Sequence, residues 1–220
     1  MSRRPISLTP GVPVPIAKRK VIKDADGNKL VPWPWTVLID SREQQKYGFD
    51  GLWSGPAGKS PKLIVNTAVA TLPVGDYSLA EYPRVIIERK SKEDLYNSVN
   101  QKRDNFEARL YRMCAEYDFA AVVVEASWDD LLSNPPKYTQ FNPKSLGRTI
   151  QAWMTKYRFV QWVCMPDRAW AEAYTFRLLE KFAQYQLAIA DGNCEKVAWE
   201  MDYDCMMEFT PEQLENCNDE

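Results

Sequence analysis

Residues 85–90 read Val-Ile-Ile-Glu-Arg-Lys, a β-branched run that ends in three charges. Val85, Ile86 and Ile87 predict a buried strand, because β-branched side chains fit a pleated, covered surface. Few buried strands end this way, since an unpaired charge removed from water is strongly destabilising. The fold must therefore bring offsetting groups to this point. A hairpin turn centred on Tyr82 sets Asp76 directly opposite Glu88, on the same face of the sheet. Strand alternation puts Lys90 on that face and turns Arg89 to the other. Two carboxylates and a lysine then converge, the combination that suits metal-assisted attack on a phosphodiester.

These residues carry a family resemblance. Gly75-Asp76, Glu88-Arg89-Lys90 and Asp94 resemble the GD…ERKxxxD signature of XPF-type structure-specific nucleases. Upstream, Ile39-Asp40-Ser41-Arg42-Glu43 is similar to the V-D-x-R-E element that precedes that signature. The resemblance runs from about Thr36 to about Gln186, and order, spacing and strand context all agree. It implies an α/β fold of the restriction-endonuclease-like, PD-(D/E)XK type: three layers, α/β/α, around a central mixed sheet. It further implies a metal-dependent DNA endonuclease, acting at branched or junction structures, with Mg²⁺ as cofactor and Mn²⁺ able to substitute. Asp76 and Glu88 are the expected first metal ligands, and Asp40 and Glu43 would complete the acidic cluster or bind a second ion. Lys90 would orient or deprotonate the attacking water or meet the developing charge, and Arg42 and Arg89 are phosphate or carboxylate clamps. An exonuclease or duplex nuclease of the same fold is one alternative. A catalytically inactive DNA-binding scaffold is another, although the acidic and lysine positions such scaffolds lose are all present.

Each residue also has a plainer use. Asp76 after Gly75 can be a turn aspartate, Arg42 and Glu43 can pair with each other, and Ser91-x-x-Asp94 matches a helix capping box, which leaves Asp94 a supporting role beside Gly75. Those uses do not account for Asp76, Glu88 and Lys90 falling on one face.

Along the chain, the pattern predicts strands over 36–40, 62–66, the hairpin 76–90, 119–125 and 159–165. Helices follow over 92–99, 102–117, 127–133, 144–157 and 167–187. Asp26-Gly27-Asn28 signals a hairpin turn inside 21–31. Trp33 and Trp35 are expected to cover an edge of the core. Trp170, Tyr174, Leu178 and Phe182 form an apolar stripe at i+4 spacing, expected to pack on the core or, as the resemblance allows, in a homodimer through the last helices. Gly55-Pro56-Ala57-Gly58-Lys59-Ser60 imitates the end of a phosphate-binding loop, but Trp53 stands where the first glycine belongs and a strand follows. No nucleotide cofactor is expected there.

Charge divides the chain into three parts. Residues 1–35 carry a net +5, residues 189–220 carry −9, and the whole chain carries −2. We therefore expect a basic, proline-rich arm over 1–35, the nuclease domain over 36–188 and an acidic tail over 189–220. That tail lacks the paired glycine hairpins that usually follow XPF-type domains, which leaves branch specificity open. Lys102, Arg103 and Arg109, with Lys144 and Arg148 further on, are candidate phosphate contacts for DNA; a solvated helix face is the plainer use of each. The chain has no histidine and five cysteines without a CxxC pair, so neither histidine catalysis nor a structural zinc site is expected. With no long apolar run or signal sequence, the expected location is the cytoplasm, or the nucleus of a eukaryote, and not a membrane.

Overall fold

The computed structural model describes residues 21–55 and 57–190. Residues 1–20 and 191–220, most of the expected arm and tail, lie outside the described residues. The chain divides into two compact units, 1–182 and 183–220, and the candidate site lies wholly in the first.

The first unit is built on a seven-stranded mixed sheet. Its strands are β1 (Ile22–Lys23), β2 (Lys29–Asp40), β3 (Lys62–Ala70), β4 (Tyr77–Leu79), β5 (Val85–Lys90), β6 (Phe119–Val124) and β7 (Val160–Cys164). The order is β1-β2-β4-β5-β6-β7, with β3 also paired to β2. Pairing is antiparallel from β1 through β5, apart from the parallel β2–β3 pair, and parallel from β5 through β7. The helices are α1 (Lys92–Val99), α2 (Arg103–Glu116), α3 (Trp128–Ser133), α4 (Pro143–Lys156) and α5 (Arg168–Ala190). The α/β class and central mixed sheet expected from the sequence are what the chain forms.

Alternation along β5 and β6 assigns the two faces. Ile86, Ala120, Val122 and Val124 join one hydrophobic core with Leu95, Phe106, Leu110, Ile150 and Trp153 from α1, α2 and α4. The opposite face is aromatic: Trp33 meets Trp35 at 5.2 Å and Phe176 of α5 at 4.9 Å, while Phe49 meets Tyr77 at 5.6 Å. All six residues of β5 are buried, because it is covered on both faces and flanked on both edges.

Two expectations shift. β2 begins at Lys29 and not at 36, so residues 29–35, assigned to the arm, are sheet. Val31, Trp33, Trp35, Val37 and Ile39 alternate inward, and burying them outweighs the missing N–H groups of Pro32 and Pro34. The β2–β3 register shifts between Pro32 and Thr36, where that disruption is absorbed. On α5 the buried stripe is Ala171, Thr175, Phe176, Leu179 and Phe182, whereas Trp170 is 62% exposed and Tyr174 39%. The i+4 pattern therefore picked a neighbouring stripe, sharing only Phe182. The hairpin at 24–28 forms as expected, with Asp24 accepting from the N–H groups of Asp26 and Asn28. Among the described residues no helix is long and apolar enough to cross a membrane.

Candidate active site

Gly75 shapes the corner that carries Asp76. Its φ is +75°, and a Cβ there would lie 2.4 Å from Ile86 Cγ1 and 3.3 Å from the Ile87 carbonyl oxygen. Only glycine allows both that conformation and that approach. The next residue is tied to two strands by its backbone: Asp76 N–H donates to Ile87 O, and Asp40 N–H donates to Asp76 O, both at 2.8 Å. Tyr77 pairs with Ile87, the expected register, so Asp76 stands across from Glu88. The Asp76 carboxylate also accepts from the Arg89 backbone N–H at 2.7 Å.

Glu88 is 1% exposed. One of its oxygens, Oε1, accepts from Lys90 Nζ at 2.9 Å and from Arg109 Nη1 at 2.9 Å. The other, Oε2, is buried with no hydrogen-bond partner among the described residues. Burial, together with the Glu88 carboxylate beside it, pushes the Asp76 carboxyl up to about 8. Desolvation and a like charge thus both disfavour ionising Asp76 beside Glu88. Lys90 is itself 8% exposed and lies 4.6 Å above the Phe106 ring. These groups open on a cavity of about 370 Å³, lined among others by Asp40, Glu43, Asp76, Glu88, Lys90 and Arg109.

The remaining acidic candidates are differently occupied. Asp40 accepts from Arg42 Nε at 2.7 Å, Arg42 Nη2 at 3.1 Å, Arg42 N–H at 2.9 Å and Leu72 N–H at 2.7 Å. Burial by itself would raise the Asp40 carboxyl, but these donors outweigh it and hold it below the usual carboxylate range. Arg42 thus pairs with Asp40 and the Leu72 carbonyl, not with its neighbour Glu43. Glu43 lies 3.7 Å from Arg89 Nη1. Asp94 lines the cavity and also completes the cap of α1: its N–H donates to Ser91 Oγ at 3.1 Å, and Ser91 Oγ donates to its carboxylate at 2.9 Å.

Arg89, as alternation requires, points away from Lys90. Its partner is Glu125, which directly follows β6, through Nε at 2.7 Å and Nη2 at 2.8 Å. Glu125 also accepts from Tyr47 Oη at 2.9 Å and Arg168 Nη1 at 2.8 Å. Sequence reasoning missed Glu125, Tyr47 and Arg168. Glu125 carried a signal, since it ends the apolar run Ala-Ala-Val-Val-Val as Glu88 ends its own. Tyr47 and Arg168 carried none.

The basic candidates separate. Arg109 reaches the acidic centre through Glu88. Arg103 donates to Thr149 Oγ1 at 3.0 Å and lies 5.3 Å over the Trp153 ring. Lys102, Lys144 and Arg148 are exposed. Among the described residues, no group of three or more His, Cys, Asp or Glu side chains could hold a metal ion. Any ion would rest on fewer carboxylates, and the unpartnered Glu88 oxygen next to Asp76 is the place that offers hard oxygen donors.

The ERCC4 domain model matches residues 39–169. Two solved structures are similar at 20% identity: XPF from Aeropyrum pernix (TM-score 0.47, 68% of this chain and 60% of that one), and XPF from Aeropyrum pernix in complex with DNA (TM-score 0.46, 68% and 64%). The chain spans less than two thirds of the length of either. No curated protein matches. With the matched segment covering more than half of the sequence, from the Asp40 strand to the start of α5, the chain belongs to the ERCC4 domain family of XPF-type nuclease domains.

Proposed function

We propose that the chain is a Mg²⁺-dependent endodeoxyribonuclease that hydrolyses phosphodiester bonds in branched or junction DNA, with Mn²⁺ able to substitute. The observation that carries this reading is the pair of half-buried Asp76 and fully buried Glu88, with one Glu88 oxygen unpartnered among the described residues. Two such carboxylates fit Mg²⁺, which is commonly held by one or two carboxylates plus phosphate oxygens and waters. Bound there, the ion would supply Lewis acidity and lower the pKa of a bound water.

The protein's own groups do the rest. Lys90 holds its ammonium against Glu88 at the cavity wall, placed to orient the attacking water or to meet charge on the phosphate. Arg109 has further N–H groups for a phosphate oxygen and is 38% exposed at its side chain. Asp40 and Arg42 brace each other beneath the cavity, which makes Asp40 a support for the site more than a ligand. Arg89, committed to Glu125, acts the same way. Glu43 lines the cavity and can extend the acidic cluster. Lys102, Arg103, Lys144 and Arg148 would supply sequence-independent phosphate contacts.

Incubation with labelled flap, fork, four-way and linear DNAs in Mg²⁺, Mn²⁺ or EDTA tests the proposal. Cleavage of the branched substrates in either metal and none in EDTA is the expected result. Absence of cleavage under every condition would overturn it, and a strict need for free ends would make the enzyme an exonuclease.

A further inference from the structure

We infer that the outer edge of β3 is a self-association surface, where two copies of this chain pair antiparallel about a two-fold axis at Thr67 and join their sheets. The inference does not depend on the nuclease reading.

β3 pairs with β2 on one side, and among the described residues no strand pairs with its other side. The preceding loop covers the start of that outer side. Ser54 N–H donates to Pro61 O at 2.9 Å, and Leu63 N–H donates to Leu52 O at 2.8 Å. At the far end the Ala70 carbonyl faces β2, accepting from the N–H of Ser41, the residue after that strand, at 2.8 Å. Backbone groups alternate in direction along a strand, so after Pro61 and Leu63 the outward positions are Val65, Thr67 and Val69. Each turns an N–H and a C=O away from β2. Asn66, Thr67, Ala68 and Val69 are exposed in succession, Val69 at 60%, so neither face of the sheet is covered there.

Soluble proteins commonly blunt such an edge with a lysine, a proline or a covering segment. Residues 63–71 contain no charge and no proline, and 64–70 read Ile-Val-Asn-Thr-Ala-Val-Ala. An open edge of this kind is a template for another strand.

The sequence of the edge selects a second copy as that strand. Thr67 is the midpoint of the uncovered stretch 64–70, and Val65 and Val69 stand symmetrically about it. Antiparallel pairing about Thr67 sets Val65 of each copy against Val69 of the other and Thr67 against itself. All three positions turn their hydrogen-bonding groups outward, so the pairing closes about six backbone hydrogen bonds, two for each facing pair. Val against Val and Thr against Thr are favourable cross-strand neighbours, and no like charges meet. A two-fold contact occupies the same edge on both chains, so association stops at two.

Sedimentation equilibrium of the full chain over a concentration series reads the association, and the wild type should reach the mass of two chains. Thr67→Lys, at an exposed position, sets two ammonium groups opposite each other and should raise the dimer dissociation constant at least tenfold. Thr67→Pro removes an outward N–H while sparing the ladder with β2, and should do the same. In Thr67→Cys the facing Cα atoms lie about 5.5 Å apart, within reach of a disulfide, so diamide should link two chains in a band that the wild type lacks. A wild type that sediments as one chain at every concentration would overturn the inference. So would a dimer that tolerates Thr67→Lys but dissociates with Trp170→Ser and Tyr174→Ser, since the contact would then lie on the exposed stripe of α5.

Discussion

Arg89 and Glu125, at the ends of neighbouring parallel strands, form a two-point ion pair with N–O distances of 2.7 and 2.8 Å. The pair is nearly closed to solvent, with side chains 4% and 8% exposed. It also anchors the loop after β2. Arg89 Nη2 donates to the Gln45 side chain at 2.9 Å, and Arg168 Nη2 donates to the carbonyls of Gln45 and Lys46 at 2.8 and 3.0 Å. Glu43, on that loop, is thereby brought to the cavity from the opposite face of the sheet.

Glu125→Ala leaves Arg89 buried with only the Gln45 hydrogen bond and the longer ionic contact to Glu43. The expected loss is about 3–5 kcal/mol, the usual result of stranding one partner of a buried pair. Replacing both partners, Arg89→Met with Glu125→Leu, should recover most of it, because desolvation falls on neither residue. Denaturant unfolding of the three proteins measures this. A double variant as unstable as Glu125→Ala would contradict it.

Gly75→Ala forces a side chain into a left-handed conformation and against Ile86 and the Ile87 carbonyl. Strain and overpacking together should destabilise by about 2–5 kcal/mol. Any folded fraction should lose activity, since the same corner places Asp76. Thermal unfolding and a cleavage assay read the two effects separately.

Asp76→Asn and Glu88→Gln should abolish cleavage while leaving DNA binding largely intact, because the amides keep shape and lose charge. Their stability should not fall in parallel. A carboxyl raised to about 8 in the fold favours the folded state below its unfolded value of about 3.9 and progressively loses that advantage as pH rises to about 8. In EDTA at pH 8, Asp76→Asn should therefore melt above the wild type, and a lower melting temperature would contradict the assigned burden of charge.

Asp40 has the opposite sign. Its folded carboxyl lies below the ordinary value, so its contribution is present above about 3.9 and is lost as pH falls through the folded value. Asp40→Asn should be less stable by about 1–3 kcal/mol at neutral pH, by loss of charge-assisted hydrogen bonds. The difference from the wild type should narrow as the solution is acidified below pH 4. A gap that stays constant with pH would show that shape, not charge, is what Asp40 contributes.

The sequence by itself determined the elements whose cause is local. The β-branched run marked β5, Ser91-x-x-Asp94 marked Ser91 as the cap of α1, and period-two alternation fixed which of Glu88, Arg89 and Lys90 share a face. The hairpin register followed from a turn centred on Tyr82, and so the pairing of Asp76 with Glu88 was legible. Tertiary structure decided the partners. Arg109 reaches Glu88 across 21 residues, Arg89 reaches Glu125 across 36, and Arg168 reaches Glu125 across 43. Likewise Leu72, 32 residues from Asp40, donates the N–H that helps occupy it. The rotation of α5 and the early start of β2 belong here too, since each depends on which aromatic surface the element meets. Periodicity constrains what one element presents, but the choice among charged and apolar groups is made by desolvation, and that depends on what packs on the other side.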